Sequence, residues 1–125
     1  MIIVIPVVES NGKYYLSPHF GKAPKYAFIE VKGKEFNIVD VVNNPVPPSI
    51  EGGGRGRAIA DLIISKGAEA VIALEVGPGA FRFLKEANIR IYYYPPRRGL
   101  IPIEDALDAF INGKLEEGLE PREID

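Results

Sequence analysis

The sequence predicts a single α/β domain in which a mixed sheet is covered by helices. Three observations predict it. Residues 2–8 form a nearly continuous apolar, β-branched run, the pattern of a strand buried on both faces. Two further runs rich in aromatic and β-branched residues follow, and the rest of the chain alternates helical with extended patterns. A chain of 125 residues is one domain's length and buries roughly two thirds of its unfolded surface, so residues 1–125 are read as one unit around one core.

In chain order, Pro6 marks a point where the first strand's ladder is interrupted. The second and third strands cover residues 26–31 and 36–42, joined as a hairpin by Lys32-Gly33-Lys34. Three prolines among residues 45–48 cannot continue a strand, so a loop is expected from there through Gly54. Residues 58–66 then place Ile59, Leu62 and Ile63 on one helical face, and Gly67 suits the left-handed residue that closes the helix. Residues 70–74 form a short apolar strand. Pro78 opens a second helix that buries Phe81, Leu84 and Ala87, with Asn88 in the closing position. Residues 89–94 give the last expected strand. A third helix carries Ile103, Ala106, Leu107, Phe110 and Ile111 on one side and ends at Gly113. Only the last few residues are expected to fray.

Composition excludes several classes. Without cysteine there is no disulfide, no thiolate nucleophile and no four-cysteine zinc or iron–sulfur site. The longest apolar run is far short of the roughly 18 residues of a membrane span, and no signal peptide precedes the first strand, so a cytoplasmic location and no membrane partner are expected. A net charge of -2 argues against a nucleic-acid partner, although Lys22, Lys25, Arg55, Arg57, Arg97 and Arg98 can form a local positive patch against the acidic tail from Glu116 to Asp125. Glutamine is absent, methionine occurs once and proline eleven times, a pattern that suggests a thermophilic source.

Five features carry candidate chemistry. His19, the only histidine, stands in Ser17-Pro18-His19-Phe20-Gly21-Lys22-Ala23-Pro24 and reads as a metal ligand, a proton carrier or a capped loop residue. Gly52-Gly53-Gly54-Arg55-Gly56-Arg57, ahead of the first helix, reads either as an anion cradle or as a flexible loop, and it lacks the ending of a P-loop. Val76-Gly77-Pro78-Gly79 joins the carboxyl end of a strand to a helix, where open α/β sheets bind ligands, although a tight turn needs glycine too. Glu9 and Glu75 both end strands and can form a carboxylate pair or simply be solvated; Tyr92-Tyr93-Tyr94 can stack on a planar ligand or simply alternate across a sheet.

As a set, Ile5-Pro6-Val7, the Ser17 to Pro24 segment, Asn44-Pro45, Gly77-Pro78-Gly79-Ala80-Phe81 and Gly113-Lys114-Leu115 resemble the dinitrogenase iron-molybdenum cofactor biosynthesis family, the NifX/NafY-like domain of nitrogenase cofactor carriers. The resemblance implies a ribonuclease H-like fold with a mixed sheet of about five strands flanked by helices. It also implies a non-enzymatic carrier or accessory protein for an iron–sulfur or iron–molybdenum type cofactor, with a cofactor-donor or acceptor protein as partner. His19 would be the metal ligand, with Ser17, Phe20, Gly21, Gly53, Gly54, Arg55, Gly77 and Gly79 around the cofactor. With no cysteine and no second histidine, such a cluster would be held transiently. The metal-free alternative is a module binding a small anion. Residues 2–8 contain no carboxylate for a two-metal site, which argues against a nuclease.

Overall fold

The computed structural model describes residues 1–50 and 53–123. Its elements are β1 (Ile2–Ser10), β2 (Lys13–Leu16), β3 (Lys25–Lys32), β4 (Glu35–Asn43), α1 (Gly53–Ser65), β5 (Ala70–Ala73), α2 (Pro78–Glu86), β6 (Arg90–Tyr93), α3 (Ile103–Ile111) and β7 (Glu116–Glu117). They form one mixed sheet of seven strands, in the order β4-β3-β1-β5-β6-β7, with β2 also paired to β1. The strands expected from the sequence are all present. The expectation of about five is corrected by β2 and β7.

The signal for β2 is Asn11-Gly12. Both residues have positive φ, 52° and 77°, and Ser10 faces Lys13 across them. That is the two-residue hairpin turn whose geometry asparagine and glycine tolerate best. β7 has only two residues, too few to show a period, and it exists because Tyr92 and Tyr93 of β6 offer it an edge.

β1 is the sheet's fork. One edge pairs antiparallel with β3 from Ile2 to Val7; the other pairs parallel with β5 at Ile3 and Val4, then antiparallel with β2 from Val7 to Ser10. Pro6 falls between the two partners on that second edge. Its carbonyl accepts from Ser17 N at 2.8 Å on that side, so the N–H it lacks would have faced the interval where β5 has ended and β2 has not begun. The chain leaving β2 therefore enters the loop that contains His19 next to the carboxyl end of β5.

Alternation along the strands builds a core on each face. Val4, Tyr26, Phe28, Val71 and Ile91 meet Ile59, Ile63, Phe81 and Leu84 of α1 and α2. Ile3, Ile5, Ile29 and Ile72 meet Ile103, Ala106 and Leu107 of α3. The three tyrosines at positions 92–94 follow the same alternation, with Tyr93 on the α1/α2 side and its neighbours on the other.

α1 begins at Gly53, five residues before the expected start, so the expected loop through Gly54 is replaced by helix from Gly53 onward. Gly52, the first glycine of the expected cradle, lies outside the described residues, as does Asp125 at the end of the acidic tail. Tertiary contact overrides the poor helix propensity of glycine here. A Cβ on Gly56 would sit 2.9 Å from Ala80 N, so only glycine lets α1 approach α2 at this crossing. Gly56→Ala is expected to destabilise the fold by about 1–2 kcal/mol, overlap with backbone outweighing the gain in propensity. Gly54→Ala, with open space around the added methyl, is expected to stabilise it by a few tenths of a kcal/mol. Urea unfolding of both variants checks the crossing: equal shifts would contradict it.

Candidate functional site

Ser17 to Pro24 is a loop with little backbone hydrogen bonding of its own, and side chains from three other segments hold it. Ser17, itself buried, closes a turn in which its Oγ accepts from His19 N at 3.2 Å and donates to His19 O at 2.8 Å. Phe20 is buried edge-on against Tyr26, with ring centroids 5.9 Å apart, and Tyr26 Oη donates to Phe20 O at 2.5 Å. Asn44 Nδ2 donates to Gly21 O at 3.0 Å and Ala23 O at 2.8 Å, while its Oδ1 accepts from Val46 N at 2.9 Å.

Arg55, near the start of α1, completes the clamp. Its Nη1 donates to Gly21 O at 2.8 Å, its Nε and Nη2 to Ile50 O at 3.0 and 2.8 Å, and its Nη2 also to Pro47 O. The residue is 7% exposed. The guanidinium thus ties the His19 loop to the proline-rich segment and to α1. It is engaged with carbonyls, where the sequence reading has it facing an anion. A Cβ on Gly21 would lie 3.5 Å from Arg55 Cδ, in ordinary contact.

Burial pushes the Tyr26 phenol well above its ordinary pKa of about 10, with the Arg55 charge opposing the shift. The phenol therefore keeps the proton that it donates to Phe20 O. The sign follows from linkage: at a pH above about 10 the unfolded tyrosine loses its proton while the folded one retains it, so stability attached to this group falls as pH rises from there. Tyr26→Phe is expected to lose a hydrogen bond worth about 1 kcal/mol near neutral pH and to show a shallower fall in stability above about pH 10. Thermal melts of both proteins from pH 7 to 11 measure it. An identical slope would remove Tyr26 as a source.

His19 itself is the exposed tip of this clamped loop. Its ring is 59% exposed, and Nδ1 lies 3.0 Å from Oε1 of Glu75, which is only 15% exposed. Glu75 stands just beyond β5, between Leu74 and Val76, and both neighbours are fixed by the C-terminal segment. Arg122 donates from Nε and Nη2 to Leu74 O at 2.9 and 2.7 Å, and Val76 and Arg122 exchange backbone bonds at 2.9 and 3.0 Å. The Arg122 guanidinium also lies 4.4 Å over the Tyr93 ring and donates to Tyr94 O at 2.6 Å. Of the two strand-end carboxylates, Glu9 binds Lys25 at 2.9 Å, whereas Glu75 meets His19. Glu75 was visible in the sequence only as a strand-end carboxylate; its partner 56 positions away was not.

Gly77 caps α2 without a side-chain hydrogen bond, and Pro78 and Gly79 form its first turn. Because Gly56 of α1 packs on Ala80 of α2, the amino ends of both helices lie together near Glu75, at the carboxyl edge of the central strands. Aligned N–H groups there favour negative charge. A Cβ on Gly77 would lie 3.1 Å from Glu123 Oε1, so the tail brings a carboxylate of its own to this edge. Among the described residues there is no cluster of three or more histidine, cysteine or carboxylate side chains able to hold a metal ion by itself. A cavity of about 420 Å³ flanks the loop, bounded by Lys22, Asn43, Pro45, Pro47, Pro48 and Arg55. Pro24, Pro45, Pro47 and Pro48 line it together with polar side chains that include Asn44.

A family profile described as dinitrogenase iron-molybdenum cofactor matches residues 1–113. The chain belongs to that family. It is also similar to an uncharacterized protein of Methanocaldococcus jannaschii, 28% identical over 117 residues that cover 94% of this chain and 91% of the relative. Among solved structures, a Thermotoga protein provisionally named a NifB protein superposes with a TM-score of 0.70 at 28% identity, covering 93% of this chain and 91% of that one. The apo form of the orange protein of Desulfovibrio gigas superposes with a TM-score of 0.80 over 98% of this chain and 96% of that one. At 21% identity, that likeness concerns the fold alone. No described helix is long and apolar enough to cross a membrane.

Proposed function

We propose that the chain is a non-enzymatic carrier that holds an anionic iron–sulfur or iron–molybdenum type cofactor, or a precursor of one, at the carboxyl edge of β1 and β5. The observation that carries this reading is the presentation of His19: an exposed imidazole on a loop clamped by Tyr26, Asn44 and Arg55, beside the amino ends of two helices. Imidazole is a good ligand for iron, and the helix ends favour the negative charge of a cluster. Family membership supports the same cargo class.

The donor set also fits carriage better than permanent storage. Clusters that stay are normally held by several thiolates, and this chain has no cysteine. One imidazole plus backbone dipoles is a hold that a donor or acceptor protein with thiolates can readily take over. The residues around the cargo would be Ser17, Phe20 and Gly21 as the frame of the His19 loop, and Gly53, Gly54, Gly77 and Gly79 at the helix ends. Arg55 acts through the loop it braces, because its donors are already engaged. That engagement leaves the metal-free alternative, a module using Gly52 to Arg57, with Arg57 as its exposed arginine.

Anaerobic titration of the protein with an iron–sulfur or iron–molybdenum cofactor source, followed by absorption and metal content, tests the reading. Uptake approaching one cofactor per chain is expected. Absence of uptake at concentrations well above that of the protein would overturn it.

A further inference from the structure

We propose that Glu75 is a positioning residue that fixes the His19 tautomer, so that Nε2 is the nitrogen offered to a metal centre of the cargo; the role in cargo binding rests on the carrier reading above. An ionised carboxylate has no proton to give and can only accept a hydrogen bond. At the 3.0 Å separation of Oε1 and Nδ1, the neutral imidazole must therefore carry its proton on Nδ1. The lone pair is then on Nε2. Carboxylates behind ligating histidines act in this way, orienting the ring and raising its basicity.

The surroundings make the arrangement a built one. The carboxylate is recessed and the ring is exposed, so the pair has an inner and an outer member. The His19 backbone is held from one side by the two bonds to Ser17 Oγ. Glu75 is held from the other by Arg122, which fixes the carbonyl of Leu74 and both polar groups of Val76. Neither end of the pair is free to drift with a loop. The C-terminal segment thus has a part in the site without touching His19: its arginine sets the backbone that aims Glu75.

Because the chain has one histidine, its tautomer can be read directly. In uniformly ¹⁵N-labelled full-length protein at pH 8.5, a long-range ¹H–¹⁵N spectrum of the imidazole is expected to show Nδ1 protonated and Nε2 bare. Glu75→Leu, checked for an intact fold by its backbone amide spectrum, is expected to move the ring toward the Nε2–H form that free imidazole prefers. Glu75→Gln keeps an acceptor oxygen and should retain the wild-type pattern at least in part. A wild-type ring that is mainly Nε2–H, or a Glu75→Leu ring identical to wild type, overturns the proposal. In the anaerobic titration, Glu75→Leu is expected to bind the cofactor source about tenfold more weakly than wild type while still exceeding His19→Ala; affinity equal to wild type overturns the positioning role. Lack of uptake by the wild type with the Nδ1–H pattern intact would overturn the carrier reading alone and leave the Glu75 assignment of the tautomer supported.

Discussion

His19→Ala is expected to lower affinity for an iron–sulfur or iron–molybdenum type cofactor by about two orders of magnitude, equivalent to about 2.7 kcal/mol, while leaving the fold intact. The size follows from the donor set. Among the described residues no three histidine, cysteine or carboxylate side chains gather to hold a metal, so removal of the ring leaves the recessed Glu75 carboxylate and helix dipoles, the latter each worth about 1 kcal/mol or less where solvent reaches them. The fold should survive because the ring is 59% exposed and the loop is held by Ser17, Tyr26, Asn44 and Arg55 and not by the imidazole. A change in unfolding free energy within about 0.5 kcal/mol is expected. Parallel anaerobic titration and urea unfolding of wild type and variant measure both quantities. Undiminished uptake by the variant would remove His19 as ligand, whatever the cargo.

Arg55→Met is expected to have the opposite profile, a loss of stability of about 3 kcal/mol or more and a melting temperature lower by roughly 10 °C. Methionine keeps most of the buried stem, so the change isolates the guanidinium. Four hydrogen bonds disappear, and the carbonyls of Gly21, Pro47 and Ile50 lose a charged donor whose residue is itself 7% exposed. Arg55→Lys should rescue little. A single ammonium on a flexible stem cannot reproduce a planar fork that reaches Gly21, Pro47 and Ile50 together. Thermal and urea unfolding without any anion present is the deciding measurement: an Arg55→Met protein as stable as wild type would show that the buried fork does not brace the loop, and would return Arg55 to the role of an anion ligand.

The contrast between these two residues shows what was legible in the chain. His19 stands out by type alone, a lone imidazole among turn residues, and the structure places it on an exposed loop tip. Arg55 stands out too, but the helix-end reading assigns its charge outward, because sequence cannot reveal that three carbonyls from positions 21, 47 and 50 converge on it. Glu75 is the reverse case. Its strand-end position was visible, whereas its meeting with His19 depends on the fork in β1, where Pro6 marks the interval between β5 and β2.

Local chemistry by itself determined the elements and their buried faces. The β-branched runs, Pro78 at the head of α2, and the left-handed positions at Gly67, Asn88 and Gly113 are set by short-range sterics and by hydrophobic period, which a sequence carries explicitly. Asn11-Gly12 carries a local signal for the β2 hairpin too, although the expectation of about five strands left that hairpin out. Tertiary structure alone decided that α1 runs back through glycines, that a two-residue β7 exists, and that Arg122 holds the backbone around Glu75. Each of these depends on a group distant in sequence: Ala80 against Gly56, the open edge of β6, and the carbonyls of Leu74 and Tyr94. Such contacts exist only once the chain has closed its long loops, and the free energy they contribute then outweighs local preferences of the order of 1 kcal/mol per residue.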